Sequence, residues 1–258
     1  MRLDLYLFQN GMVESRSRAK SLIEEGNVLV DGKPVTKPSE TVDEASDPKI
    51  EIVATLPFVS RGGLKLEHAL DTFGISVEGK DAIDVGASTG GFTDCLLQRG
   101  AGRVIAVDSG ENQMALRLRE DPRVECIEKY NARYMKPEDF SYSPDLAVMD
   151  VSFISQTLIH PSLANVMADG GVLVSLIKPQ FEVGKKAVGK KGIVKRAEDR
   201  FFAIKHVLTC ADVCGLGCFA LTRSPITGGD GNIEFLAAFR KGSALEINEK
   251  TMKRIAEG

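Results

Sequence analysis

Four ionisable residues have the side-chain types and positions expected of an acid–base site. Lys65 lies in a predicted helix after Ser60, and Glu234 lies within the last predicted strand. Asp150 and Lys178 end the fourth and fifth predicted strands of the same segment. Because the carboxyl ends of parallel strands meet at one edge of a sheet, Asp150 and Lys178 are expected to be neighbours. Each residue alone fits a solvated position, but together they have the groups that orient a hydroxyl and remove its proton.

A glycine-rich turn between the first predicted strand and helix of this segment is a candidate ligand site. It comprises Asp84, Gly86, Ala87, Ser88, Thr89, Gly90, Gly91 and Phe92. Glycines at such a junction allow a ligand to approach the backbone. The spacing differs from the G-x-G-x-x-G pattern of dinucleotide-binding proteins, because Ser88 stands where the second glycine belongs. The turn therefore predicts a cofactor site but disfavours a dehydrogenase.

Polar residues after the next two strands suit a cofactor that contains adenosine. Asp108 and Ser109 follow the second strand, and a carboxylate at that position can accept hydrogen bonds from ribose hydroxyls. Asn131 and Ala132 follow the third strand and are candidates for contact with adenine. The alternative interpretations are that Asp108 caps the next helix and that Asn131 only forms a turn.

Basic side chains are concentrated in two stretches, although the formal net charge of the 258-residue chain is −3. Residues 1–60 hold seven basic and ten acidic side chains, and the candidates for RNA contacts are Arg2, Arg16, Arg18, Lys20, Lys33 and Lys37. Residues 178–205 hold nine basic and three acidic side chains. Beyond residue 60, the candidates for RNA contacts are Arg61, Lys185, Lys186, Lys190 and Lys191. Glycines between these lysines predict a mobile loop that contacts phosphates, and solvated surface is the alternative for both stretches.

The order of the predicted elements divides the chain into a small unit and a large one. Residues 1–58 are predicted to form two short helices, a hairpin that turns at Asp31-Gly32 and a strand at 50–53, with a linker over residues 54–57. Residues 59–258 alternate between helices and strands, which predicts a mostly parallel sheet. Only a short glycine-rich turn separates the last two strands, so these two must form an antiparallel hairpin. The predicted fold class is α/β, preceded by a small α+β module.

Several motifs resemble known families. The stretch SRSRAKSLIEEGNVLVDGKPVTKP is similar to the S4 RNA-binding module, over about residues 2–53. A parallel sheet that ends in an antiparallel hairpin is similar to the Rossmann-like methyltransferases that use S-adenosylmethionine. The motifs SRGGLKL, GASTGGFTD, MDVSFIS, LIKPQFE and GNIEF resemble the TlyA family, which joins an S4 module to an FtsJ-like ribose 2′-O-methyltransferase domain. Ser88-Thr89 departs from a proline that many FtsJ-like proteins have there, and it matches the TlyA group.

The resemblance implies a role for each of these sites. S-adenosylmethionine is the implied cofactor, ribosomal RNA or a ribosomal subunit is the partner, and the 2′-hydroxyl of a cytidine is the methyl acceptor. Lys65, Asp150, Lys178 and Glu234 correspond to the family's catalytic set. Lys178 is expected to orient the hydroxyl, and desolvation or a nearby cation, here Lys65, lowers a lysine pKa. Asp150 and Glu234 are expected to hold the two amines.

Two other functions are compatible with parts of the sequence. The TlyA family is often labelled hemolysin, which suggests a membrane-active cytolysin. However, no secretion signal, transmembrane segment or strongly amphipathic basic helix is evident in the sequence. The second alternative is a non-catalytic RNA-binding protein, which would not need the complete set of four ionisable residues.

The cysteine content predicts a cytoplasmic protein without a metal site. The five cysteines are an odd number, as expected of reduced thiols. Cys210, Cys214 and Cys218 recur every fourth residue, but Gly215 and Gly217 interrupt the helix that would carry them. No histidine lies at a ligand spacing from them, so we expect buried thiols. The sequence does not fix the oligomeric state, for which a monomer is the favoured hypothesis.

Overall fold

The structure is a computed structural model that describes residues 1–24, 27–46, 48–52, 57–228 and 231–257. Its contacts divide the chain into two compact units, Met1–Ser60 and Arg61–Gly258. Each unit has a hydrophobic core of its own. The predicted linker, apart from its last residue, lies outside the described residues, and so does the last residue of the predicted strand at 50–53.

The N-terminal unit combines two helices with a three-stranded antiparallel sheet. Its elements are α1 (Leu3–Gln9), α2 (Arg16–Glu24), β1 (Val28–Val30), β2 (Lys33–Val35) and β3 (Ile50–Ile52). Strand β1 lies between β2 and β3. Asp31 and Gly32 both have positive φ, as a two-residue hairpin turn requires. Apolar side chains of helices and strands share one core, which includes Leu3, Leu7, Ala19, Leu22, Ile23 and Val28.

The second unit is built on a seven-stranded sheet. Its strands are β4 (Asp81–Val85), β5 (Arg103–Val107), β6 (Val124–Ile127), β7 (Leu146–Met149), β8 (Val172–Ile177), β9 (Leu216–Arg223) and β10 (Phe235–Lys241). Their order across the sheet is β6-β5-β4-β7-β8-β10-β9. Strands β4 to β8 are parallel, whereas β10 runs antiparallel to β8 and β9. The predicted parallel sheet that ends in an antiparallel hairpin is confirmed.

The described residues of this unit form seven α-helices. They are α3 (Gly62–Phe73), α4 (Gly91–Gln98), α5 (Leu116–Arg119), α6 (His160–Val166), α7 (Pro179–Glu182), α8 (Ala197–Val213) and α9 (Glu249–Glu257). The central strands are almost continuous runs of buried apolar residues, as expected of a parallel sheet covered on both faces. No helix within the described ranges has the length and apolar character needed to cross a membrane.

The three regularly spaced cysteines do not converge. Cys210 lies on α8 and Cys214 directly follows that helix, and both are half-buried, whereas Cys218 is fully buried in β9. The part of the chain that the structure describes contains no group of histidine, cysteine and carboxylate side chains placed to hold a metal ion.

Candidate functional site

One edge of the sheet brings Asp150, Lys178 and Glu234 together. Asp150 follows β7 and Lys178 follows β8, at the carboxyl ends of two neighbouring parallel strands. Strand β10 runs antiparallel to β8, with Phe235 opposite Ile177, so the residue before β10 lies at the same edge as the residue after β8. Glu234 immediately precedes β10, whereas the sequence predicted it within the strand, because β10 begins at Phe235.

Two ion pairs organise the four ionisable residues. Lys178 Nζ lies 2.5 Å from Asp150 Oδ1 and donates to Ser152 Oγ at 2.8 Å. Lys65 Nζ donates to Glu234 Oε2 at 2.5 Å. The side chains of Lys65 and Glu234 are only 10% and 2% exposed, whereas those of Lys178 and Asp150 are 13% and 20% exposed. Each amine therefore has its own carboxylate partner.

A cleft of about 620 Å³ adjoins the Lys178–Asp150 pair, and Asp150 and Ser152 form part of its wall. Six of the predicted cofactor residues also line it, namely Gly86, Ser88, Asp108, Ser109, Asn131 and Ala132. Six others lie in β4, in the turn or in the start of α4 without lining the cleft: Asp84, Ala87, Thr89, Gly90, Gly91 and Phe92. The sequence did not single out the remaining wall residues, which include Gly110, Gln113, Tyr130, Val151, Ile154 and Ile159.

The glycine-rich turn adopts a conformation that glycine makes possible. Gly86 and Gly90 have φ of 85° and 92°. A Cβ atom on Gly86 would lie 2.5 Å from the carbonyl oxygen of Asp150, so the turn approaches the end of β7 more closely than a side chain allows. Ser88, which replaces the dinucleotide-motif glycine, also has a positive φ of 48°.

Asp108 joins two loops that line the cleft. Its Oδ2 accepts from the backbone N–H of Ser88 at 2.8 Å, and its Oδ1 accepts from that of Gly110 at 2.7 Å. The alternative that Asp108 caps the next helix is not seen, because α5 begins only at Leu116. Each carboxylate oxygen has a second lone pair with which to accept from a ligand hydroxyl.

Asn131 forms a turn and also lies in the wall of the cleft, so the two interpretations of its sequence position are compatible. Its side-chain Oδ1 accepts from the backbone N–H of Arg133 at 3.1 Å and so caps a short 3-10 helix, Ala132–Tyr134. The residue also lines the cleft. A turn residue can therefore still present its amide nitrogen to a ligand.

Asp84 is completely buried and does not reach the cleft. Its Oδ2 accepts from Thr93 Oγ1 at 2.7 Å, which ties β4 to α4. Its Oδ1 has no hydrogen-bond partner within the described residues. Burial, together with the charges of Asp150 and Asp108, raises the pKa of Asp84 to about 7. This carboxyl therefore supports the turn from inside the protein instead of contacting a ligand directly.

The stability of the protein should depend on pH through Asp84. A carboxyl whose pKa rises on folding binds its proton more tightly in the folded state, so stability falls as the pH rises from 3.8 to about 7. An Asp84→Asn variant stays neutral and keeps an acceptor for Thr93. The unfolding free energy of the variant minus that of the wild type should therefore increase by about a few kcal/mol as the pH rises over that range. Urea denaturation across this pH range measures the gain, and a difference that does not change with pH would contradict it.

An aromatic pair close in sequence to Asp150 and Lys178, with one exposed and one half-buried ring, was missed from the sequence. Phe153 is 93% exposed and has a φ of 64°, a strained backbone conformation for a bulky residue. Its ring lies 5.3 Å from that of Phe181 of α7, measured between centroids. Each phenylalanine follows a catalytic candidate by three residues, Asp150 or Lys178. Four of the seven residues in MDVSFIS are apolar, so nothing in the sequence distinguished Phe153 from its neighbours.

Two of the basic residues predicted to bind RNA in the N-terminal unit converge on one buried carboxylate. Arg2 Nε lies 2.9 Å from Asp4 Oδ1, and Arg16 Nη2 lies 2.9 Å from Asp4 Oδ2. These guanidinium groups lower the pKa of Asp4 to about 2. Both arginine side chains stay half exposed, so their outer N–H groups are accessible.

The other predicted RNA-binding residues are more dispersed. Arg18 and Lys20 lie on α2, where Lys20 pairs with Glu24, whereas Lys33 lies on β2 and Lys37 follows it. Within the described ranges, no hydrogen bond or ion pair joins these two lysines to the arginines. Arg61 immediately precedes α3. Lys185, Lys186, Lys190 and Lys191 are all exposed, and their loop contains a 3-10 helix at Lys185–Ala187; the mobility of this loop stays a prediction.

Comparison with known proteins places both units in described families. An FtsJ-like methyltransferase model matches residues 58–241, and an S4 domain model matches residues 1–47. The chain is 47% identical to the putative rRNA methyltransferase YqxC of Bacillus subtilis, over 99% of this chain and 92% of that protein. It is 38% identical to the 16S/23S rRNA (cytidine-2′-O)-methyltransferase TlyA of Mycobacterium tuberculosis, over 100% of this chain and 98% of that protein.

A solved structure agrees with these relatives. The structure described as a putative hemolysin from Streptococcus thermophilus is 42% identical, with a TM-score of 0.81 over 100% of this chain and 94% of that chain. The similarity therefore spans both units. The chain belongs to the FtsJ-like methyltransferases, in the TlyA group that joins an S4 domain to this fold.

Proposed function

We propose that the protein transfers a methyl group from S-adenosylmethionine to the 2′-hydroxyl of a cytidine ribose in ribosomal RNA. The observation that carries this proposal is the Lys178–Asp150 pair in the wall of the cleft at the carboxyl edge of the sheet. The relative from Mycobacterium tuberculosis, named for cytidine 2′-O-methylation of rRNA, supports the choice of acceptor. Residues 1–58 would then serve as the RNA-binding domain and residues 59–258 as the catalytic domain of a cytoplasmic, monomeric enzyme.

The chemistry of the cleft walls fits S-adenosylmethionine. Asp108 offers carboxylate oxygens to ribose hydroxyls, Asn131 offers an amide to adenine, and Gly86 leaves the backbone open to the ligand. The volume of about 620 Å³ lies in the range of small-molecule sites. When bound there, the cofactor supplies an electrophilic methyl group on a positively charged sulfur.

The Lys178–Asp150 pair can prepare the acceptor hydroxyl. A lysine ammonium has three N–H groups. Lys178 donates one to Ser152 Oγ and forms an ion pair with Asp150 Oδ1, which accepts no hydrogen bond from the described residues. Another N–H group of Lys178 can donate to the ribose 2′-oxygen and so fix the direction of its lone pair. Asp150 can take up the hydroxyl proton as the new O–C bond would form and the C–S bond of the cofactor would break, with S-adenosylhomocysteine as the leaving group. The buried Lys65–Glu234 pair fixes the start of β10 at the same edge as Lys178.

Basic residues on both units are proposed to hold the RNA. The half-exposed guanidinium groups of Arg2 and Arg16 are fixed by Asp4, which favours directed contacts with phosphate oxygens. Arg18, Lys20, Lys33, Lys37, Arg61, Lys185, Lys186, Lys190 and Lys191 are further proposed contacts. Such contacts set the position of the RNA, whereas the catalytic site selects the nucleotide.

Radiolabelled methyl transfer tests the proposed function. The protein is incubated with labelled S-adenosylmethionine and with ribosomal subunits or naked ribosomal RNA from cells that lack the enzyme. We expect label in RNA, at a 2′-O-methylcytidine that nucleotide mapping identifies. Lysis of erythrocytes in a parallel assay, without methyl transfer, would overturn the proposal in favour of a cytolysin.

Phe153 should contribute to holding the nucleobase of the acceptor. Stacking of a base on an aromatic side chain contributes about 1–3 kcal/mol, so Phe153→Ala should raise the KM for RNA by roughly 5- to 150-fold. Phe153→Tyr should restore most of the affinity because it keeps an aromatic face. Steady-state methyl transfer with varied RNA measures the effect. The matched control is Phe202→Ala, another exposed aromatic residue, on α8; an equal loss in both variants would refute a specific role for Phe153.

A further inference from the structure

One buried amide joins a strongly basic loop to the segment that carries Glu234. The basic loop is residues 184–196, which contain six basic and no acidic side chains. Asn232 is only 1% exposed. Its Oδ1 accepts from the backbone N–H of Val194 at 2.9 Å, and its Nδ2 donates to the carbonyl of Gly192 at 2.8 Å. Asn232 thus fixes two backbone groups of the basic loop at a point two residues before Glu234.

Further contacts hold the basic loop in one conformation. Val194 is buried with Val183 and Ala203 in a small hydrophobic cluster. The buried guanidinium of Arg200 donates to the carbonyl of Lys195 at 2.7 Å. Inside the loop, the N–H of Gly189 donates to the carbonyl of Ile193 at 3.1 Å. Several backbone polar groups of the loop are therefore satisfied within the protein, and the charged side chains can face a ligand.

The outward face of the basic loop suits an anionic polymer. Its five lysines, at positions 185, 186, 190, 191 and 195, are exposed, and none of them forms an ion pair with the residues that the structure describes. A concavity of about 420 Å³ is lined by Lys186, Lys195 and Arg196, together with Gly189, Ile193 and Asp199. Asp199 lies 4.0 Å from Arg196, so the two lysines are the cations available for phosphate oxygens.

We propose that Asn232 is the positioning residue of a preformed phosphate-binding surface made by the basic loop. Through Asn232 the loop keeps a fixed place relative to Glu234 and Lys65, so that it binds the sugar–phosphate backbone of the RNA strand whose ribose enters the site. This inference rests on the proposed function in taking RNA as the ligand. The buried amide of Asn232 fixes the backbone that carries these lysines, so the surface is preformed and differs from a solvated run of lysines.

The salt dependence of RNA binding distinguishes this role from a structural one. We expect Asn232→Ala and the double variant Lys186→Gln/Lys195→Gln to bind ribosomal RNA more weakly at low salt. Each lost phosphate contact lowers the slope of log affinity against log salt by about 0.7 for a single strand, so the double variant should lose about 1.4. Both variants should approach the wild type at high salt, with an unchanged dissociation constant for S-adenosylmethionine. The matched control is Lys250→Gln/Arg254→Gln on α9, which removes two exposed cations elsewhere.

Methyl-transfer kinetics with the same variants complete the test. The KM for RNA should rise by about tenfold for two lost contacts, and kcat at saturating RNA should stay near that of the wild type. A fall in kcat for Asn232→Ala, with an unchanged salt slope, would show that Asn232 only supports Glu234 and would overturn the inference. Asn232→Asp keeps the acceptor for Val194 and loses the donor to Gly192. Its slope of log affinity against log salt is therefore expected to lie between those of the wild type and Asn232→Ala.

Two outcomes separate this inference from the proposed function. If Asn232→Ala does not fold, the double lysine variant decides, because both side chains are exposed; an unchanged slope then overturns the inference. If the wild type transfers no methyl group but the slopes change as expected, only the proposed function fails. A wild type that binds no RNA would overturn both.

Discussion

Replacement of Lys178 by alanine is expected to lower the rate of methyl transfer by about 10²–10⁴-fold, while S-adenosylmethionine still binds. The Nζ atom of Lys178 contacts Asp150 and Ser152 in the cleft wall, where it can orient a hydroxyl group. Alanine removes the ammonium group that would donate to the 2′-oxygen beside these two side chains. Loss of alignment between the reactants would lower the rate further. Labelled methyl transfer measures the rate, and calorimetric titration measures cofactor binding.

Two further variants make the Lys178 result specific. Lys178→Arg keeps the positive charge, but its planar guanidinium places its N–H groups differently, so little activity should return. Lys250→Ala removes an exposed lysine on α9 and should leave the rate unchanged. If Lys178→Ala loses cofactor binding together with activity, Lys178 shapes the cleft instead of preparing the hydroxyl, and its assigned role is wrong.

Loss of one partner from the buried Lys65–Glu234 pair is expected to cost about 3–5 kcal/mol of unfolding free energy. The pair has a 2.5 Å contact, and Glu234 is only 2% exposed, so the remaining charge would have no compensating partner and little water. Lys65→Met and Glu234→Leu should therefore each unfold at lower urea concentration than the wild type. Each should also lose methyl transfer, because the pair fixes the edge of the sheet beside Lys178.

The double variant Lys65→Met/Glu234→Leu separates stability from catalysis. Replacing both charges with apolar side chains of similar size removes the uncompensated charge, so most of the stability should return. Activity should not return, because no ionisable group remains at these positions. A double variant with wild-type activity would show that the pair is only structural. Single variants as stable as the wild type would contradict the burial of the pair.

The fold could be predicted because its signals are local. Alternating strands and helices indicate a parallel sheet, and the short turn before β10 leaves only an antiparallel connection. The neighbouring positions of Asp150 and Lys178 follow from the same rule, since each ends a parallel strand. The ends of the strands were less well predicted. Glu234 precedes β10 instead of lying within it, because the hairpin connection extends to that residue.

The glycine-rich turn was predicted as a motif, but the direction of each of its side chains was not. All residues from Asp84 to Phe92 belong to one glycine-rich motif, yet only Val85, Gly86 and Ser88 of this stretch line the cleft. The direction of each side chain depends on the turn conformation, which positive φ values and the hydrogen bond from Ser88 to Asp108 define. Burial of Asp84 and the raised pKa that follows depend on three-dimensional packing.

The sequence by itself determined the family, the order of the elements and the identity of the four ionisable residues, because these depend on residue types and on spacings along the chain. Only the tertiary structure decided which lysine pairs with which carboxylate. Lys65 and Glu234 are 169 residues apart and meet because β10 turns back beside β8. The same is true of the strained, exposed Phe153 and of the link from Asn232 to the basic loop. Contacts between distant segments depend on the packing of the whole unit, which no local pattern encodes.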